Sequence, residues 1–141
     1  MSADGRTGLS ADGSHEVRMR WQDLDGLGHV NHTVVLTYLE EGRDAWLAER
    51  GISRNEYVVG RCTVTFTREI DPAQEAVRVQ CELRELGRSS IATTERILDP
   101  AGEAAVEAQF DLVLWDRDRR SSRPITDSER AALAGSEEAH R

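Results

Sequence analysis

The sequence contains no lysine: all 18 of its cationic residues are arginine. Any phosphate bound by this chain is therefore held by guanidinium forks, which favour bidentate contacts. Cations are also in deficit, 18 against 26 acids, for a formal net charge of −8. That balance argues against general nucleic-acid binding, which needs a basic face. A polyanionic ligand must instead find a local arginine cluster. Cysteine is scarce, with only Cys62 and Cys81. Both lie in strand-like segments among apolar neighbours and are expected to be buried small hydrophobes. Nothing in their placement asks for a disulfide, and a reducing cytoplasm is the expected compartment. Long apolar runs are missing too. None approaches the ~20 residues of a membrane span, and the first residues lack the charged start and apolar stretch of a signal peptide. Neither nucleic acid nor membrane is an expected partner.

A chain of 141 residues suits one domain and can bury a core without staples. Its two ends are rich in small and polar residues and carry no apolar period. Residues 1–15 and 135–141 are expected to be disordered tails around a single folded unit over 16–134.

Within that unit the period of the apolar residues identifies the elements. Val17, Met19 and Trp21 alternate with Arg18 and Arg20, the pattern of a strand with one polar face. A loop follows, marked by its glycines and aspartates. Val35, Tyr38, Leu39, Gly42 and Trp46 then share one helical face. With Asn31 as N-cap and Gly51 just past the C-terminus, the spacing predicts a helix over 32–50. Gly42 in its middle costs about 1 kcal/mol against Ala, which is acceptable where a helix must lie close on a sheet. Four strands follow: Cys62, Val64 and Phe66 alternate with polar residues; Val77, Val79, Cys81 and Leu83 do the same; residues 89–98 are rich in β-branched side chains; and Val106, Ala108, Phe110, Leu112 and Leu114 form a last alternating run. Asp71-Pro72, Leu86-Gly87 and Asp99-Pro100-Ala101-Gly102 supply turns. A short terminal helix is predicted over 126–134, capped by Thr126 or Asp127. Short turns between successive strands imply an antiparallel sheet. One helix cannot cover both faces of such a sheet, and edge pairing in a dimer would protect its exposed strands.

The densest chemistry lies in Asp23-Leu24-Asp25-Gly26-Leu27-Gly28-His29-Val30-Asn31-His32. A carboxylate in a glycine-containing loop is followed by two imidazoles and then by a helix N-terminus, with its unpaired amides and positive dipole end. Such an N-terminus can hold a developing oxyanion, and a carboxylate beside it can attack or activate water. On the residues alone, an Asp before a helix also serves as a cap or turn residue, and His29 as a structural one. Asp25, His29 and His32 could together hold a metal. The only other histidines, His15 and His140, lie near the tails, so no metal is expected.

The stretch with Arg20-Trp21-Gln22-Asp23-Leu24-Asp25, Gly28-His29-Val30-Asn31-His32 and Tyr38-Leu39-Glu40-Glu41-Gly42-Arg43 resembles the opening segment of the 4-hydroxybenzoyl-CoA thioesterase-like branch of hotdog proteins. The later strands fit in order and length, over residues 16–125. The resemblance implies an α+β hotdog fold: a five-stranded antiparallel sheet wrapped around a long central helix, with a short C-terminal helix added here. It implies hydrolysis of an acyl-CoA or acyl-carrier-protein thioester, with no cofactor, in a homodimer or homotetramer whose active sites lie between subunits. Asp25 maps to the catalytic carboxylate, the amide at or next to His32 to the group that polarises the carbonyl, and His29 and Asn31 to residues that orient the loop, while Asp23 holds it. Two departures bear on the shape of the acyl pocket more than on the carboxylate: His32 stands for the second Asn of the usual pair, and on one alignment the usual helix Tyr-Leu falls at Val35-Leu36.

Other readings of the same fold remain distinct from this one. Glu40 or Glu41 could be catalytic, as in another hotdog branch, but that branch's His-Gly-Gly signature is missing. A hotdog dehydratase would need a different His and Asp pattern. A non-enzymatic dimer binding an acyl or aromatic ligand would be favoured by loss of Asp25, which is present. For CoA phosphate the resemblance points to Arg88, Ser89 and Ser90, after the Leu86-Gly87 turn. The denser group Arg117, Arg119, Arg120 and Arg123 is interrupted by Asp116 and Asp118 and reads as a self-paired surface.

Overall fold

The computed structural model describes residues 7–9 and 13–139. Its central element is α1 (His32–Ala48), which forms where the apolar period shifts from two to three and four. Val35, Tyr38, Leu39, Gly42 and Trp46 are all buried along one face. The Asn31 side chain caps it, accepting the Thr33 amide at 2.9 Å. At the other end Gly51 takes a left-handed φ of +81°. The Ile52 amide then closes back on the Leu47 carbonyl at 3.0 Å.

Among the described residues, seven strands make one antiparallel sheet: β1 (Thr7–Leu9), β2 (His15–Arg18), β3 (Tyr57–Phe66), β4 (Ala76–Leu86), β5 (Ser90–Leu98), β6 (Ala104–Asp116) and β7 (Ser121–Ser122). Their spatial order is β1-β2-β4-β5-β6-β3, with β7 a short addition to β6. α1 packs against β2, β4 and β5. The sheet thus wraps a long central helix, with α2 (Asp127–Ala139) behind β4. This is the hotdog arrangement, five main strands extended by β1 and β7. The first strand is shorter than its alternation suggests. β2 stops at Arg18, and Trp21–Asp23 turn into a single 3-10 turn.

The expected N-terminal tail lies partly outside the described residues, at 1–6 and 10–12. Within them, Thr7–Leu9 pairs with β2, and His15 opens β2. α2 continues to Ala139, past the expected boundary at 134, and residues 140–141 lie outside the described residues. None of the described helices is long and apolar enough to cross a membrane.

The core is built from alternate residues of the sheet. Val77, Val79 and Cys81 of β4 and Val106, Ala108, Phe110, Leu112 and Leu114 of β6 all face it. β5 contributes Ile91 and Ile97, but also Thr93 and Glu95, both fully buried. Arg43 of α1 answers that buried acid. Its Nε and Nη2 donate to the two carboxylate oxygens of Glu95 at 2.9 and 3.1 Å, and the Thr93 hydroxyl adds a third bond at 2.7 Å. The guanidinium also stacks 3.9 Å from the Phe110 ring centroid. A lone charge would be intolerable here, and the bidentate pair satisfies both partners.

β3 departs from the sequence reading. Its alternation resembles that of β4, yet it is exposed along nearly its whole length. Cys62, expected to be buried, is exposed, whereas Cys81 is buried; both are free thiols. The reason is topological: among the described residues β3 pairs only with β6 and is an edge strand of the sheet. Val58, Val59 and Phe66 are left 40%, 45% and 50% exposed.

Candidate active site

The two acids of the loop have opposite fates. Asp23 is buried, with 4% of its surface exposed. Its Oδ2 accepts the Arg20 amide at 2.8 Å and the Tyr38 hydroxyl at 2.7 Å. Its carbonyl accepts the Asn31 amide at 3.1 Å. Residues Leu24 and Val30 form an isolated antiparallel bridge, so the chain between them is a small closed loop.

Asp25 sits on that loop and is exposed. Its amide donates to the His29 carbonyl at 2.7 Å, and its own carbonyl accepts the Gly28 amide at 3.0 Å. Gly28 allows this turn with a φ of +78°. The side chain is organised by the same backbone: Oδ1 accepts the Leu27 amide at 2.8 Å and the His29 amide at 3.0 Å. Those bonds, His29 first and Leu27 second, hold the carboxyl pKa below its ordinary value, with a smaller contribution from the His29 charge. Asp25 is therefore an ionised carboxylate at neutral pH.

The loop delivers the chain to the start of α1. Asn31 uses its side chain as the cap, accepting both the Thr33 amide and the Thr33 hydroxyl, at 2.9 and 2.8 Å. The Val34 and Val35 amides go to the Asn31 carbonyl. The His32 amide has no partner among the described residues, which makes it the available donor for an oxyanion. The His32 ring meets Phe66 edge to face, with centroids 6.4 Å apart. Both line a cavity of about 400 Å³ with buried Val35, Ile70 and Val106 and with Val30, Arg68 and Glu69. Glu69 approaches His29, with Oε1 3.6 Å from Nε2.

Asp25 and His29 are joined on one loop, and Asn31 and His32 follow it at the start of α1. Arg88, Ser89 and Ser90 do not join them within one protomer. They turn from β4 into β5 at the end of the sheet where Leu114 and Ile125 bond to the Ser89 and Arg88 backbone. Asp25 lies beyond the opposite end, where β2 leaves the sheet and α1 begins. β5 runs between the two ends, about 26 Å at roughly 3.3 Å per residue. The C-terminal arginines share the Arg88 end, since the Arg123 amide bonds to Leu114. Arg123 itself is paired with Glu129 and Glu56. Glu41 is half-buried, 3.7 Å from the Arg20 guanidinium, and Glu40 is exposed. Among the described residues, no three His, Cys, Asp or Glu side chains are grouped to hold a metal ion.

The sequence reading missed two contributors. Phe66 was read as one of several alternating strand residues. Tyr38 belongs to the apolar helix face and to the motif of the resemblance, but a phenol at a buried position usually needs a partner, and Asp23, the acid that holds the nearby loop, is the signal for it.

Comparison with known proteins gives a consistent picture. Residues 19–133 match the family model of the thioesterase-like superfamily. No curated protein matches the sequence. Among solved structures, a thioesterase from Thermus thermophilus, complexed with coenzyme A and zinc, is 30% identical, with a TM-score of 0.72 over 84% of this chain and 95% of that one. A proposed thioesterase from Pseudomonas aeruginosa is also 30% identical, with a TM-score of 0.77 over 85% and 96%. A DHNA-CoA thioesterase from Staphylococcus aureus, at 18% identity and a TM-score of 0.74 over 89% and 90%, shares the fold.

Proposed function

This chain belongs to the thioesterase-like superfamily and is a thioester hydrolase, and on that premise we propose that it hydrolyses an acyl-CoA thioester with Asp25 as the catalytic carboxylate. The observation that carries the reading is an exposed, ionised Asp25 on the closed loop that leads directly into α1, whose first amide, at His32, has no partner among the described residues. The thioester carbonyl oxygen accepts the His32 amide, where the helix dipole favours the charge that develops. Both loop amides bind Oδ1 of Asp25. The carboxylate attacks the carbonyl carbon, the C–S bond breaks, and the CoA thiolate leaves and is protonated by solvent. Water then opens the mixed anhydride, returning the carboxylate and releasing the acid. The reaction needs no cofactor beyond water. His29 and Asn31 shape the loop and the cap, and the cavity under His32 takes the acyl group.

Coenzyme A as the carrier is supported by the Thermus thermophilus relative, which is complexed with it. Phosphate recognition falls to Arg88, Ser89 and Ser90 of a partner subunit. Antiparallel pairing of two β3 edges sets the partner's Tyr57 end beside this protomer's Phe66 end. The partner's β5, and the turn carrying its Arg88, then lie about three strand spacings from this protomer's edge, roughly 14 Å at about 4.8 Å each. An extended pantetheine arm covers that gap. Exposed Trp21 and Leu27, flanking Asp25 at 86% and 81% exposure, support a site completed by a second copy. Free, exposed Cys62 suits a reducing cytoplasm. A panel of acyl-CoA and acyl-carrier-protein thioesters, assayed for released thiol, tests the reading. Wild-type turnover of CoA esters, abolished in Asp25→Asn, is expected; an active Asp25→Asn variant overturns it.

A further inference from the structure

Two struts join the loop that carries Asp25 to the helix that carries the His32 amide. The first is the bond from the Tyr38 hydroxyl to Asp23 Oδ2, 2.7 Å long, between a side chain that is fully buried and one nearly so. The second is the approach of Arg20 Nη1 to Glu41 Oε1 at 3.7 Å. Tyr38 and Glu41 lie one turn apart on α1, and Arg20 and Asp23 are themselves joined through the Arg20 amide. Tyr38 stands six residues beyond His32, about 9 Å along the helix at 1.5 Å per residue. The element that presents the oxyanion donor therefore also grips the loop that presents the carboxylate.

We propose that Tyr38 and Asp23 form a latch that fixes Asp25 relative to the His32 amide, with Tyr38 a positioning residue of the hydrolysis; this inference rests on the catalytic role of Asp25 proposed above. An apolar residue at position 38 would pack α1 on the sheet equally well. It would not fix direction. A hydrogen bond to one carboxylate oxygen does, because the bond weakens steeply as its angle changes. Asp23 is held at three points: Oδ2 by the Tyr38 hydroxyl and the Arg20 amide, and its carbonyl by the Asn31 amide at the helix cap. Rotation of the loop about the helix start must break at least one of them. Asp25, two residues on and anchored to the backbone of the same loop, moves with Asp23.

Tyr38→Phe removes one oxygen and leaves the ring in the core. Acyl-CoA kinetics and thermal melts are measured for wild type, Tyr38→Phe, Asp23→Ala and Asp25→Asn. A misplacement of about 1 Å costs up to ~100-fold in rate, so Tyr38→Phe is expected to lower kcat by about 10- to 100-fold with KM within about twofold. A merely structural tyrosine would lower the melting temperature and leave kcat intact well below it. Should Tyr38→Phe not fold, Asp23→Ala, which removes the accepting oxygens, gives the same reading from the other partner. A folded Tyr38→Phe or Asp23→Ala variant with wild-type kcat, beside an inactive Asp25→Asn, overturns the latch alone. An active Asp25→Asn variant overturns the latch together with the catalytic role of Asp25.

Discussion

Gly42 of α1 lies so close on β4 that a β-carbon at position 42 would overlap the side chain of Val79. The sequence cost of a mid-helix glycine is thereby explained. Gly42→Ala gains about 1 kcal/mol of helix propensity. It must also push the helix off the sheet, and overpacking of this kind costs about 1–3 kcal/mol. The net expectation is a lower melting temperature. A melt at or above the wild-type value would show that α1 can lift without strain.

The Asp25 carboxyl is held below its ordinary value of 3.8 by two backbone amides. The ionised form therefore predominates above that pH and is lost only as pH falls through the lowered pKa. Initial rates should show no loss attributable to this carboxylate from about pH 8 down to about pH 5. Asp25→Asn should lower turnover at least ~100-fold across the range, the low end for loss of a proton-transfer or nucleophilic group, with an unchanged circular dichroism spectrum.

Arg88→Ala should raise KM for an acyl-CoA about tenfold, the loss of one charged hydrogen bond, with kcat little changed. The effect should shrink for a truncated pantetheine thioester and at high salt. An unmoved KM, with a raised KM in an Arg119→Ala/Arg120→Ala variant, would shift phosphate recognition to the neighbouring C-terminal segment.

The bare β3 edge predicts association. Light scattering at micromolar concentration should give a dimer or tetramer. Val59→Lys, which places a charge on an edge strand, should yield monomer with depressed activity. A fully active monomer would dispose of a site shared between subunits.

Glu129 ties the start of α2 to the body of the domain. It accepts both terminal nitrogens of Arg123 at 2.9 and 2.8 Å and the Thr126 amide at 2.9 Å. Arg123 is the main cause that lowers its pKa from 4.5 to about 2. A depressed carboxyl pKa stabilises the fold fully above the unfolded value and loses that contribution as pH falls through the folded one. Glu129→Gln should therefore lower the melting temperature at pH 7 by about 4 °C, for about 1 kcal/mol in a solvent-screened pair. The difference from wild type should fade between about pH 4.5 and pH 2. A difference that persists at pH 2 would assign the effect to packing.

Much of this was legible in the chain. Asn31 was readable as a cap because an amide side chain before an apolar helical face has few other uses, and β4 and β6 were readable because they alternate and face the core. β3 alternates as well, so its exposure could not be read from period; it follows from where the strand falls in the sheet order. Asp23 and Asp25 are alike in sequence. The fold separates them by burying one against Tyr38 and leaving the other exposed. The pairing of Arg43 with Glu95 spans 52 residues, and local pattern carries no trace of such a partner. The placement of Arg88 at the far end of the sheet from Asp25 was equally hidden, because it depends on strand direction.

The strand order also sets a schedule for folding. β4, β5 and β6 form a meander whose successive members meet across short turns, so their contacts close small loops. β3 must find β6 from the far side of that meander, matching Tyr57 to Leu114 and Phe66 to Val106. Loop-closure entropy delays such distant pairings. The nascent chain therefore makes β3 before its partner exists and holds a sticky, unpaired strand until β6 emerges. The same strand that remains bare in the finished protomer is the one exposed longest on the way to it, which makes β3 the segment where self-recognition and misassembly compete.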